Sequence, residues 1–254
     1  MKRIVKVTVL LFIVSSALAA GLYFGSEQIL QIRYDLRNQN RTVTSTAQID
    51  SVFATLSKVK FSDIPVSVLN ENHSNKPQYK NKLAKKTFYE LSREDLFKKV
   101  VADYRLKHFI TKDYGYVKTY NKRNSYYTCI DRRVLHKFLE LLNELEKLDY
   151  DPSAIKLRSG HRPPKRNYYI GGASQSRHIY GEAIDIGVRD INKDGKSNDT
   201  DKQIVLDLLD QKIIGNQGGI GLYPGTKAVH FDVRGRRARW NSYTPAIRKK
   251  NQGR

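Results

Sequence analysis

The chain of 254 residues has a single cysteine, a single methionine and a single tryptophan, and only 25 acidic side chains against 46 lysines and arginines. With Cys129 alone, no intrachain disulfide and no thiolate-rich metal site can form, so a bound metal has to be held by histidine and carboxylate. Lipid attachment at an N-terminal cysteine is excluded on the same ground. Nothing around Cys129 suggests an activated nucleophile, and it reads as a small, half-buried apolar residue. No internal repeat is visible. The shortage of acid leaves a formal net charge of +21, which points to a polyanionic neighbour: nucleic acid, anionic lipid headgroups or an anionic wall polymer. The length gives one well-buried domain with appendages, and the mean hydropathy of −0.59 is that of a soluble globular protein.

The chain starts with a basic flank, Lys2, Arg3 and Lys6, followed by an apolar run over 7–24 broken only by Thr8, Ser15, Ser16 and Gly21. That order reads as an export signal. Ala17-Leu18-Ala19 has the form of a cleavage site, yet the run approaches the length that spans a bilayer. Residues 1–25 therefore read equally as a cleaved signal peptide and as a retained signal-anchor in the cytoplasmic membrane. Export to the cell envelope or periplasm argues against nucleic acid as the partner. Residues 26–107 carry no evident chemistry and read as a membrane-proximal spacer with short helices. Within them, Asn70–Lys86 is polar and basic, as a linker or exposed loop would be. Ser92–Tyr104 reads as a short amphipathic helix opened by Ser92, with Glu94 and Asp95 in its first turn.

A better-ordered domain is expected over 108–242. Asp131 reads as the N-cap of a helix to about Leu148, with Val134, Leu135, Phe138, Leu139, Leu141, Leu142, Leu145 and Leu148 on one helical stripe. A second helix is expected from about Asp201 to Ile214, stopped by Gly215. Gly218-Gly219-Ile220-Gly221 reads as a turn. Helices and strands mix without a regular βαβ alternation, so the fold class is α+β: a small, mainly antiparallel sheet flanked by helices.

Two strands carry the informative residues. Along Glu182–Val188 the period of two puts Ile184, Ile186 and Val188 on one face, and Asp185 with the small Ala183 and Gly187 on the other. Along Ala228–Arg234, Val229, Phe231 and Val233 face the core while His230, Asp232 and Arg234 share the opposite side. His178 lies seven residues before Asp185, with Gly181 allowing a turn between them. Two imidazoles and one carboxylate suit Zn²⁺ at roughly 2.0–2.2 Å per ligand and leave a fourth position for water, the mark of a catalytic site.

Ser159-Gly160-His161-Arg162-Pro163, then Ser176-x-His178-x-x-Gly181-x-Ala183-x-Asp185, then Gly218-Gly219-Ile220-Gly221-x-Tyr223-Pro224 and Val229-His230-x-Asp232 occur in this order. Together they resemble the zinc D-alanyl-D-alanine carboxypeptidase and murein endopeptidase superfamily, which includes lysostaphin-like enzymes and hedgehog domains; the murein endopeptidase branch is the nearest in pattern. The resemblance implies hydrolysis of amide bonds in peptidoglycan stem peptides or cross-links, with His178, Asp185 and His230 as zinc ligands. It implies a substrate-binding role for Arg162, whose guanidinium would pair with a carboxylate, and a hydrogen-bonding role for Ser176. Relatives often carry a general base three residues before the last ligand, where this chain has Lys227. Asp232 and His161 are the substitutes, and Asp232 alternatively orients His230. A non-catalytic wall-binding or signalling module that keeps the metal is the other reading.

A second cation site is expected in the insertion 190–201. Asp190, Asn192 and Asp194 take positions 1, 3 and 5 of a calcium loop, with Gly195 at the sharp turn, the Lys196 carbonyl at position 7, Asn198 at 9 and Asp201 at 12. Bound Ca²⁺ would be structural. After Asp232 no acidic residue follows, and residues 243–254 form a basic tail suited to peptidoglycan or to an anionic membrane surface.

Overall fold

The computed structural model of the chain describes residues 42–110 and 125–241, and, in a separate N-terminal unit, the helical positions 28, 29, 32 and 35. Among the described residues no helix is long and apolar enough to cross a membrane. The apolar run 7–24 and the tail 243–254 lie outside them.

In chain order the elements are α1 (Thr46–Ala54), β1 (Ser57–Val59), α2 (Val66–Glu71), α3 (Pro77–Leu83), β2 (Phe88–Leu91), β3 (Lys99–Val101), β4 (Tyr104–Arg105), β5 (Tyr126–Cys129), α4 (Arg132–Lys147), β6 (Ile155–Ser159), α5 (Pro164–Tyr169), β7 (Ala183–Val188), α6 (Asp199–Leu208), β8 (Gly219–Leu222), β9 (Ala228–Asp232) and β10 (Ala238–Asn241). The architecture is α+β. A five-stranded sheet runs β10-β8-β9-β7-β6, antiparallel except for β10 beside β8, and a three-stranded antiparallel sheet runs β1-β2-β5.

The apolar stripe expected on α4 forms up to Leu145: Asp131 accepts from the Arg133 N–H as N-cap, and Val134, Leu135, Phe138, Leu139, Leu141, Leu142 and Leu145 are buried, whereas Leu148 falls at the C-cap and is 50% exposed. They cover the inner face of the large sheet, where Ile184, Ile186, Val188, Val229 and Phe231 are buried too. Phe138 meets Phe231 at 6.5 Å between ring centres. The helix expected over 201–214 runs from Asp199 to Leu208 and continues as a π-helical turn, Leu209–Ile213, before Gly215 at φ 50°.

The stretch read as a spacer is instead part of the core. Val43, Ile49, Phe53, Leu91, Val100 and Phe109 belong to the same buried cluster as the α4 stripe and the sheet. Asn70–Lys86 is not a loop: it closes α2 and forms α3, whose Tyr79 and Leu83 are buried with Phe61, Leu69 and Phe88 in a second cluster. Its polar residues face outward from short helices, which is why composition alone read as linker. Over Ser92–Tyr104 Ser92 and Asp95 do bond each other, Ser92 N–H donating to Asp95 and Asp95 N–H to the Ser92 hydroxyl. The expected helix is replaced by a 3-10 turn, Asp95–Phe97, whose cap position is Glu94 and carries no side-chain cap, because Val100 and Val101 enter β3 and bury completely.

This N-terminal layer supports the segment that carries the first candidate ligand. The second cluster contains Cys129, Ile179 and Tyr180, so α2, α3 and β2 form the bed beneath the 3-10 turn Arg177–Tyr180. Buried Glu182 accepts from both Lys86 and Arg177, tying the layer to that turn. Cys129 itself is 1% exposed, more deeply buried than expected, and burial pushes its thiol up to about 12.

Phe53 is buried against Tyr89 at 5.2 Å between ring centres. Phe53→Ala should cost about 3–5 kcal/mol of stability, read by urea unfolding followed through Trp240 fluorescence. An unchanged midpoint would restore the independent spacer. Cys129 should resist iodoacetamide at pH 8 in the folded protein and react once urea exposes it, because the reactive thiolate is scarce far below a pKa of about 12.

Candidate metal centre

Strand register assembles the site. Asp185 on β7 stands directly opposite His230 on β9, and His230 opposite Gly221 on β8. The outer face predicted from the period of two is therefore one row across the sheet, continued to Trp240 on β10 opposite Gly221. His178 arrives from the 3-10 turn, which ends at Gly181 with φ 67°. A Cβ there would stand 2.1 Å from the Cys129 carbonyl oxygen, so only glycine lets the chain turn from His178 into β7.

Three donor atoms converge. His178 Nε2 is 3.0 Å from Asp185 Oδ1 and 3.1 Å from His230 Nδ1, and His230 Nδ1 is 2.8 Å from the same Asp185 oxygen. Among the described residues this is the group of histidine and carboxylate placed to hold a metal ion. The opposite ring nitrogens fix the tautomers. His178 Nδ1–H donates to the Gly160 carbonyl at 2.7 Å, and His230 Nε2–H to Asp232 at 3.1 Å. Both imidazoles then point a lone pair, not a proton, at the Asp185 carboxylate. Three lone pairs facing one another repel unless a cation sits between them, and two nitrogens with one oxygen are a donor set for Zn²⁺.

With no cation between the donors, the carboxylates instead draw a proton to His230. Burial opposes ionisation of Asp185, but His178 and His230 overcome it and hold its carboxyl well below the usual range. Burial lowers His178. Burial would lower His230 as well, yet Asp185 and Asp232 outweigh it and the ring is raised.

Asp232 is fully buried, and its two oxygens accept from His230, from the Arg234 guanidinium and from the Gly219 N–H at 3.1 Å. It therefore lies behind His230 and away from the converging atoms. The role expected for it as general base gives way to the alternative, that of orienting His230. His161 is corrected as well. It is 4% exposed, its Nδ1 is 2.9 Å from the Thr128 hydroxyl, and burial with the neighbouring His178 pushes it down to about 3, too low to take a proton. Ser176 precedes the His178 turn, and its contribution is made by its backbone: its carbonyl accepts from Ile179 N–H, while its hydroxyl makes no capping bond.

Arg162 stands at the edge of the centre, one guanidinium nitrogen 3.2 Å from the second Asp185 oxygen. Its Nε is buried without a partner. Two neighbours escaped the sequence reading. Tyr223, noticed only as part of a turn motif, is pushed up to about 12 by burial and by Asp185, and so keeps its proton. Trp240 packs on His230 at 5.1 Å between ring centres, and the Arg234 guanidinium lies 5.0 Å over the indole. The single tryptophan, close to the last ligand in sequence, was the available signal. Gly219 and Gly221 are strand residues, not the expected turn: a Cβ on Gly221 would strike Trp240 at 2.6 Å and one on Gly219 would strike Asp232 at 2.3 Å.

The calcium expectation gains no support: the loop's oxygens accept hydrogen bonds from its own backbone. Asp201 is fully buried and caps α6, accepting from Ile191 and Asn198 N–H at 2.8 Å each. Asp190 accepts from the N–H groups of Asp194 and Gly195, Asn192 from Asp194, Asp194 from Lys196 and Asn198 from Thr200.

Residues 117–232 match the family described as Peptidase M15, the zinc D-alanyl-D-alanine carboxypeptidase type suggested by the spaced motifs. That match encloses all three converging residues. No curated protein and no solved structure matches the chain.

Asp232→Asn should weaken zinc binding about 10–100-fold, measured by competition with a chromophoric chelator, with circular dichroism to check the fold. Unchanged affinity in a folded variant would show that Asp232 does not govern His230.

Proposed function

We propose that the chain is a zinc peptidase that hydrolyses amide bonds in peptidoglycan stem peptides or their cross-links, as a D,D-carboxypeptidase or murein endopeptidase. The observation that carries this reading is the convergence of His178, Asp185 and His230 inside a segment that matches Peptidase M15. In this reading the three residues would hold Zn²⁺, which would supply the Lewis acidity to acidify water and polarise the scissile carbonyl.

The chain's own residues do the positioning. Gly160 and Asp232 keep both imidazoles in the metal-binding tautomer. Arg162, steadied on Asp185 through one nitrogen, turns its remaining donors to a substrate carboxylate. Tyr223, protonated beside Asp185 and Arg162, offers a neutral hydrogen bond to an oxygen that gains charge. The apolar run 7–24 exports the chain or anchors it at the cytoplasmic membrane. Its net positive charge suits peptidoglycan and an anionic surface better than nucleic acid, which stays in the cytoplasm.

One observation favours the second reading, a metal-binding wall module without activity: Lys227 is exposed at the position where relatives often carry a base, and Asp232 is engaged elsewhere. The zinc-loaded full chain, incubated with isolated sacculi, should release new muropeptides by mass spectrometry, and these should vanish with a chelator or with His178→Ala. Binding to sacculi without products would sink the peptidase and favour the module.

A further inference from the structure

The chain passes from β8 to β9 over Tyr223-Pro224-Gly225-Thr226, where the Thr226 N–H donates to the Tyr223 carbonyl at 3.2 Å and Gly225 takes φ 71°. Proline followed by a left-handed glycine suits such a tight turn. The turn stands at the metal centre, since it carries Tyr223 beside Asp185 and Arg162 and leads through β9 to His230. One side chain from another element grips it. Lys202, near the start of α6, is 5% exposed, and its ammonium donates to the Tyr223 carbonyl at 2.9 Å and to the Thr226 carbonyl at 2.7 Å. Both bonds go to backbone, and among the described residues no carboxylate is in ion-pair contact with it. Asp199 supports the charge only from a distance, and burial outweighs it and lowers the ammonium from its ordinary value.

A buried lysine without a carboxylate is costly, because its charge exchanges water for carbonyl dipoles alone. An apolar side chain of similar volume would fill the space without that cost, so packing does not account for the ammonium. Its distinctive act is to bridge the first and last carbonyls of the turn, which a compact charge with several donors can do. The base of the bridge is itself fixed, since the neighbouring Asp201 accepts from the Ile191 and Asn198 N–H groups. The Thr226 hydroxyl adds a further bond to the Tyr223 carbonyl at 2.8 Å. We propose that Lys202 is a positioning residue: it clamps the 223–226 turn and so holds the Tyr223 phenol at the metal centre. That the phenol serves an oxygen gaining charge rests on the peptidase reading; that Lys202 holds it in place does not.

The test places 3-fluorotyrosine at position 223 of the full chain, loads Co²⁺ in place of zinc and records the fluorine NMR spectrum. The cobalt-induced shift reports where the ring stands relative to the metal. Lys202→Met should lose most of that shift while metal affinity, measured by chelator competition, stays unchanged. In the zinc-loaded chain the same substitution should lower kcat on a stem peptide about 10–100-fold with KM little changed. Added to Tyr223→Phe it should cost nothing further, a coupling that a general loss of stability would not produce. Lys202→Arg, which keeps the charge and the donors, should restore most of the shift and the rate. Lys202→Gln, which can reach only one of the two carbonyls, should fall between, and it decides the matter if the methionine variant unfolds. An unchanged cobalt-induced shift in a folded Lys202→Met or Lys202→Gln variant overturns the clamp whatever the activity, and so does an equal loss of kcat with and without Tyr223→Phe. An unaltered protein that hydrolyses nothing, with the shift lost in Lys202→Met, removes the peptidase reading and leaves the clamp.

Discussion

Three lone pairs directed at one point are the constraint on which the rest of the site depends. An isolated carboxylate as enclosed as Asp185 is costly, and with both imidazoles in the metal-binding tautomer only a cation or a proton among the donors reduces the cost. The arrangement persists because each imidazole is held from behind, His178 by the Gly160 carbonyl and His230 by Asp232. Asp232 is in turn buried, and Arg234 neutralises it. Removing one partner of such a buried pair is far more damaging than never having had it. The chain Arg234–Asp232–His230 therefore acts as one unit, with the Trp240 indole beneath both Arg234 and the ring.

Geometry this tight demands backbone that can approach closely, and glycine supplies it at chosen points. Gly181 accepts a left-handed conformation against the Cys129 carbonyl, Gly219 leaves space for Asp232, and Gly221 leaves space for Trp240. The N-terminal layer meets the same demand from below. Ile179 and Tyr180 flank His178 in sequence and are buried among Phe61, Leu69 and Leu83, so the turn that presents the first ligand is held by residues roughly a hundred positions earlier. Fold stability and metal geometry are thus coupled through one short 3-10 turn.

The parts of this arrangement that were legible in the sequence are those with a period. Alternation along Ala183–Val188 and Ala228–Asp232 separates core side from ligand side without any tertiary knowledge, and the 3.6-residue stripe of α4 does the same for the helix that covers the sheet. Residues 42–110 were not legible because their apolar residues are scattered over helices of six to nine residues and strands of two to four, too short to show a period. Glycine misled for a related reason. Gly218-Gly219-Ile220-Gly221 has the composition of a turn, but its glycines answer to Asp232 and Trp240, neighbours that only strand pairing brings near. The loop at 190–201 carries a genuine pattern of oxygens, which the fold spends on backbone N–H groups and on the cap of α6.

The surplus of positive charge also changes meaning once the fold is known. Read along the chain, the arginines after Asp232 look like a tail free to hold a polyanion. In the fold Arg234 is committed to Asp232, and Arg237 and Arg239 both pair with Asp210 at the end of α6. Those charges stitch β10 and its approach to the body of the protein, and an exposed pair of this kind contributes little outward field once its partner cancels it.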